Sequence, residues 1–186
     1  MIPEDIIRRY YPEGSLSYNY LLVHSQKVTE AALSIAVHNP LLNPDREIIR
    51  WSAMLHDIGI FMTDASEIGC TGSFPYLAHG YLGRELLEKE GLHEIAPVCE
   101  RHIGVGITLS DIIGYDLPLP HREMVPVTIE EKIVCYADKF YSKSDKYLTT
   151  PKPIEHIRNK ISKYGGDKIK IFEEFIALFG VSYLYE

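Results

Sequence analysis

The chain has 186 residues, 46% hydrophobic and 24% charged, which is ordinary globular composition and enough for one domain with a real core. Its formal net charge is −7 and it has no dense Lys/Arg block, which argues against a nucleic-acid polymer as partner. Three scattered cysteines, Cys70, Cys99 and Cys135, form no CxxC pair and suggest neither a zinc ribbon nor a disulfide framework.

Met1 runs into Pro3, Glu4 and Asp5 without a basic start or an apolar stretch, so no leader is expected. No run approaches the ~18–20 apolar residues that span a bilayer. A reducing cytoplasm is the expected setting. Tyr10, Tyr11, Tyr18 and Tyr20 crowd the N-terminal part and read as core packing or a homodimer surface rather than a stacking site.

Helical periodicity governs the rest. Leu21, His24, Val28, Ala31, Ala32 and Ile35 share one face at three- and four-residue steps. Asn43-Pro44-Asp45-Arg46-Glu47 predicts a helix start with Asn43 as cap. The helix after it carries Ile49, Ala53 and His56 as a stripe and stops at Gly59. Short helices are expected over 77–90 and 93–103, separated by Gly91. From Gly104 to Val127 repeated Gly and Pro leave a long loop with at most one helical turn, a length that is usually functional. Thr128 with Glu131 three residues later has capping-box spacing and opens the next helix. Two amphipathic stretches follow Pro153, split by Gly165-Gly166. Alternating strands are absent. The expected fold is an all-α helical bundle, one domain over 1–186, with its motifs in about 20–145 and helices of 151–180 packed on them.

The titratable residues fall on the apolar faces. His24 lies on its helix stripe, His56 ends the next with Asp57 beside it, and His79 shares a face with Leu82 and Leu86. His102 follows Ile95, Val98 and Cys99, and Asp138 shares a face with Val134, Cys135 and Tyr141. A single inward histidine is most simply a satisfied core residue. Six such groups on converging faces are economical only if shared coordination removes the cost of burying them.

His24, then His56-Asp57-Ile58-Gly59, then Asp138 resembles the H…HD…D signature of the HD-domain superfamily of metal-dependent phosphohydrolases, in its HDIG branch. The segment EEKIVCYADK, Glu130–Lys139, is similar to the family's last metal-bearing helix. The resemblance implies an HD-domain helical bundle with His24, His56, Asp57 and Asp138 around one metal. Members with further histidines hold two ions, so His79 and His102 are expected to complete a second, with Asp57 as bridge. The expected cofactors are divalent transition metals, Fe, Mn, Zn, Ni or Co, and two such ions can activate a water as hydroxide for attack on a phosphoester. His56 and Asp57 are the expected catalytic pair. No serine or cysteine nucleophile elbow is present.

A small phosphorylated substrate, a nucleotide above all, also needs cationic partners. Lys139, Arg101 and Lys143 are candidates, with His121 from the long loop as a further one. Each could equally be a solvated surface group. Several HDIG relatives place a lysine directly after the tetrad, where this chain has Ile60, and the GYP motif of cyclic-dinucleotide cleavage is absent. The ligand order is also similar to that of the bacterial diadenosine tetraphosphate hydrolases, which makes a dinucleoside polyphosphate one specific candidate. A di-iron oxygenase of the HD type is the alternative chemistry, and a regulatory module with a structural metal the third.

Overall fold

The structure, a computed structural model, describes residues 1–185. Nine α-helices run through them in chain order: α1 Pro3–Tyr10, α2 Leu16–His38, α3 Arg46–Leu55, α4 His79–Lys89, α5 Pro97–Arg101, α6 Leu109–Gly114, α7 Ile129–Asp138, α8 Ile154–Ile161 and α9 Gly166–Phe179. Two strands of two residues each, β1 Asp64–Ala65 and β2 Cys70–Thr71, pair antiparallel. No described helix is long and apolar enough to cross a membrane.

The helix starts follow from side chains that satisfy the free N–H groups of a first turn. Ser15 accepts from the Tyr18 amide at 3.1 Å and opens α2. Thr128 and Glu131 form the expected capping box of α7, with bonds of 3.2 and 3.3 Å. The start of α3 differs from expectation. Asp45, not Asn43, is its cap, accepting from the Glu47 and Ile48 amides at 2.8 and 3.1 Å. Asn43 instead takes a left-handed conformation, φ 48°, that ends the short turn Pro40–Leu42. Asparagine tolerates that region better than most residues.

The 93–103 helix is also shorter than its apolar pattern, because regular helix begins only at Pro97 and ends at Arg101. Proline lacks the N–H that an earlier helical turn requires and is tolerated only at a start. Within the 104–127 loop, Thr108 and Asp111 form a second capping box that nucleates α6.

Helix α2 packs against α3 and α7, α3 against α7, and α4 against α5. Their shared core includes Leu21, Val28, Ile35, Ile49, Leu55 and Val134, all buried. The C-terminal helices close over it with aromatics. Phe172, Phe175 and Phe179 lie 5.7, 6.1 and 5.6 Å from the ring of Tyr136, whose hydroxyl donates to the Gly180 carbonyl at 3.0 Å. Such contacts favour tilted and edge-on rings over face-to-face stacking.

The turn after α3 is pressed against α4 without side chains between them. A Cβ on Gly59 would stand 2.2 Å from the His79 carbonyl and 2.5 Å from the Gly83 amide. Only glycine permits that backbone approach. Tyr11 holds the turn from the other side, donating to the Ile58 carbonyl at 3.0 Å and accepting from the Phe61 amide at 2.9 Å.

Candidate metal centre

Five helices contribute to one buried point, mostly through their ends. His24 comes from the middle of α2. His56 and Asp57 follow the last turn of α3, His79 opens α4, His102 follows α5, and Asp138 closes α7. All four histidines and Asp57 are buried, and Asp138 is largely so. Donor atoms of His24, His56, Asp57 and Asp138 lie within 4.8 Å of one another, and so do those of Asp57, His79 and His102.

The two oxygens of Asp57 divide these groups. Oδ2 stands 3.2 Å from His24 Nε2 and 3.0 Å from His56 Nε2. Oδ1 stands 3.3 Å from His79 Nε2 and 3.4 Å from His102 Nε2. Asp138 Oδ1 joins the first group, 3.1 Å from His24 Nε2 and 3.5 Å from His56 Nε2.

Backbone carbonyls determine which nitrogen of three of these rings faces inward. Nδ1 of His56 contacts the Ala53 carbonyl at 2.7 Å, that of His79 the Tyr76 carbonyl at 2.6 Å, and that of His102 the Val98 carbonyl at 3.3 Å. A carbonyl only accepts, so each Nδ1 carries a proton, and whenever the ring is neutral the lone pair of Nε2 turns inward. His79 Nε2 and His102 Nε2 then meet at 3.3 Å with no proton between them. Two facing lone pairs repel unless a cation or a proton sits against both. His56 Nε2 and Asp57 Oδ1 are buried with no aligned hydrogen-bond partner, an arrangement that costs free energy unless a ligand completes it. The donor set is imidazole and carboxylate, which suits a divalent transition metal. The buried thiols stand apart: Cys99 donates to the Leu55 carbonyl at 3.4 Å, and burial pushes Cys135 up to about 12.

The HD-domain family model matches residues 21–142, a span that holds every residue of this cluster. The chain belongs to the HD-domain family. An uncharacterized protein of Methanocaldococcus jannaschii is 39% identical over 118 residues, 62% of either chain. Two proteins named tRNA (cytidine(56)-2′-O)-methyltransferase are also similar. The one from Thermoplasma volcanium is 29% identical over 160 residues, and the one from Picrophilus torridus 31% over 162. Each match covers 86% of this chain, which spans only 42% of those proteins and 62% of the M. jannaschii relative. Among solved structures, the HD domain of the L. monocytogenes phosphodiesterase PgpH superposes with a TM-score of 0.52 at 16% identity, covering 94% of both chains. That likeness concerns the fold.

In this HD domain cationic charge already surrounds the carboxylates. Burial would raise the Asp57 carboxyl, but His56 and Lys143 hold it well below the usual carboxylate range. Burial would likewise lower His56, yet Asp57 and Asp138 beside it raise it to about 9. His102 goes the other way: burial pushes it down to about 4. The Lys143 ammonium touches Asp57 Oδ2. Lys139 lies 2.8 Å from Asp138 Oδ2 and donates to the His102 carbonyl at 3.0 Å, tying the two groups together. Ile60, by contrast, is fully buried in the core, so no cation approaches from the position after the tetrad.

A cleft of about 670 Å³ opens from the cluster and is lined by His24, Asp57, His79, His102 and Asp138 together with Lys139 and Lys143. Arg101 and His121 are not in its lining. Arg101 pairs with Glu131 at 2.7 Å, and His121 is exposed in the loop. Its neighbour Arg122 is the engaged loop residue, bonding Glu100 at 3.0 and 2.7 Å. Sequence reading missed Tyr76, Tyr115 and Tyr164 in the lining, and Lys152, Lys160, Lys163 and Lys168. None sits on a periodic face with the histidines. Only the density of lysine after residue 138 hints at them.

Proposed function

We propose that this chain is a phosphohydrolase that holds two divalent transition ions side by side and hydrolyses a phosphoester or phosphoanhydride of a nucleotide-like small molecule. The observation that carries the reading is the division of Asp57, one oxygen toward His24 and His56 and the other toward His79 and His102. In this reading His24, His56, Asp57 and Asp138 hold the first ion, and Asp57, His79 and His102 hold the second. Ions so placed supply Lewis acidity and lower the pKa of a water.

The chain's own groups orient the substrate. Lys139 and Lys143 stand at the cluster end of the cleft, ready to pair with phosphate oxygens. Ile103, Ile107 and Leu117 line the space next to them, and Tyr115 and Tyr164, 71% and 64% exposed, stand in its wall. Apolar walls with open aromatic faces suit a planar base.

Metal analysis of the purified protein, followed by a phosphatase screen over nucleotides with Mn or Fe added, tests the reading. Two ions per chain are expected, falling toward one in the double variant His79→Ala/His102→Ala. An unchanged metal count in that variant removes the dinuclear site. If the loaded protein hydrolyses no phosphate but consumes dioxygen with iron, the four-histidine, two-aspartate set belongs to the oxygenase alternative.

A further inference from the structure

Six of the eleven lysines of this acidic chain, and no arginine, line the cleft described above: Lys139, Lys143, Lys152, Lys160, Lys163 and Lys168. They face three carboxylates there, Asp57, Asp111 and Asp138. Lys143 takes Asp57, Lys139 takes Asp138 and Lys168 takes Asp111 at 2.5 Å. The other three have no carboxylate partner among the described residues. Lys152 is buried and donates to the carbonyls of Lys139, at 3.1 Å, and of Tyr141. Lys160, in the last turn of α8, and Lys163, in the turn after it, are exposed and border the cleft.

The fold does not use the charge of these last two. Neither makes a side-chain hydrogen bond or an ion pair with a described residue, and the charge of Lys160 works against the buried ammonium of Lys152. Burial above all pushes Lys152 down to about 8; the Asp138 carboxylate opposes that shift, and the like charges of Lys139, Lys160 and Lys143 add to it. Lysines spread over a surface are commonplace, but like charge concentrated in a walled cleft raises the local concentration of an oppositely charged ligand. The lining also has a large apolar share, with Ile103, Val105, Ile107, Leu117, Ile157 and Ile161.

We propose that Lys160 and Lys163 form a second anion subsite, so that the substrate carries two phosphate-class groups at opposite ends of a largely apolar or aromatic middle. One group meets the histidine–aspartate cluster and the other meets the α8–α9 turn. The inference rests on the phosphohydrolase reading for the identity of the first group, but the second subsite is a matter of binding alone.

The test uses alkane-α,ω-bisphosphonates of increasing length, whose C–P bonds resist hydrolysis, against the matching alkyl monophosphonates. Titration calorimetry on the full-length, metal-loaded protein reads both. At the length that spans the cleft, the bisphosphonate is expected to bind about tenfold tighter, the size of one charge-assisted hydrogen bond. Lys160→Ala/Lys163→Ala is expected to abolish that advantage while the monophosphonate Kd stays the same, which also reports intact folding of these exposed positions. Charge reversal, Lys160→Glu/Lys163→Glu, turns the advantage into a penalty. An equal affinity of mono- and bisphosphonates at every length overturns the subsite. So does an advantage that survives both variants, as chelation of the ions by a short bisphosphonate would. A protein that hydrolyses no phosphate but keeps the bisphosphonate advantage loses the enzymatic reading and retains the subsite.

Discussion

At the inner end of the cleft, three histidines are oriented by a carbonyl three or four residues earlier, and every donor is wholly or largely buried. Along the outer wall, Lys160, Lys163, Tyr115 and Tyr164 project from short helices and turns with no such support. The contrast separates two requirements. Coordination tolerates errors of only a fraction of an ångström, so its ligands belong on packed helix ends with their tautomers held. Charge attraction acts over several ångströms and needs number more than position. If that division is right, changes at the inner end cost metal and activity outright, while changes at the wall shift affinity.

The largest effect is expected from Asp57→Ala. Both oxygens of this carboxylate face histidine nitrogens, so in the proposed dinuclear reading its removal would leave two cations without their shared neutralising charge. Metal content is expected to fall below one ion per chain, and activity by more than about a thousandfold. His38 provides the control. It is exposed on the last turn of α2, its Nδ1 on the Ser34 carbonyl at 2.8 Å, far from any donor of the cluster. His38→Ala is expected to keep nearly full activity per folded molecule. Comparable losses in both variants would mean that membership of the cluster is not what makes these residues matter.

Gly59→Ala tests whether the inner end depends on backbone approach as well as on ligands. The new methyl group would overlap the carbonyl of His79 and the amide of Gly83. Relief requires α4 to move away, carrying His79 with it. Overpacking of this kind costs about 1–3 kcal/mol or more, and thermal unfolding should show it as a clear drop in Tm. Metal content measured on the folded fraction then decides between a purely structural loss and a displaced ligand.

Much of the inner end was legible beforehand. His24, His79, His102 and Asp138 lie on apolar helical faces, where an ionisable group is conspicuous. The tetrad after α3 has a physical reason for each member: two donors, a core isoleucine and a glycine at a close approach. Local competition was less readable. Asn43 and Asp45 are both good caps, and only the geometry of the Pro40–Leu42 turn assigned the cap to Asp45. The outer wall gave no periodic signal, because Lys160 and Lys163 meet the cleft through a bend in the chain rather than a shared face. Arg101 illustrates the same limit from the other side, since adjacency to His102 did not bring its guanidinium into the cleft.

A smaller effect is expected where the wall is tied to the inner end. Glu100 is fully buried between Arg84 and Arg122, and Arg122 belongs to the 104–127 loop that lines the cleft. Arg122→Ala leaves Glu100 with Arg84 still in place, so about 1–2 kcal/mol is the expected cost, less than for a fully orphaned charge. The loop should become more susceptible to limited proteolysis. Kinetically, KM should rise severalfold with kcat nearly unchanged, because the cluster itself is held by other helices. A fall in kcat with constant KM would show that the loop positions His102 rather than the substrate.

The last effect shows only as a change with pH and concerns the charge held inside the wall. Burial, aided by neighbouring lysines, lowers the Lys152 ammonium from its ordinary 10.5 to about 8. The folded state therefore binds this proton less tightly than the unfolded chain does. The resulting contribution to stability is present above 10.5, where both states are neutral at this site, and is lost as the pH falls through about 8. Lys152→Met removes the ionisation but keeps most of the buried stem. The two carbonyls that Lys152 contacts lose a donor at every pH, so that cost cancels when one pH is compared with another. The expected result is that the Tm of the unsubstituted protein rises relative to Lys152→Met between pH 7 and pH 10, by no more than about 3 kcal/mol in stability. A gap that does not change with pH would mean that Lys152 is charged without strain, and that the outer wall tolerates its crowded lysines even with no anion bound.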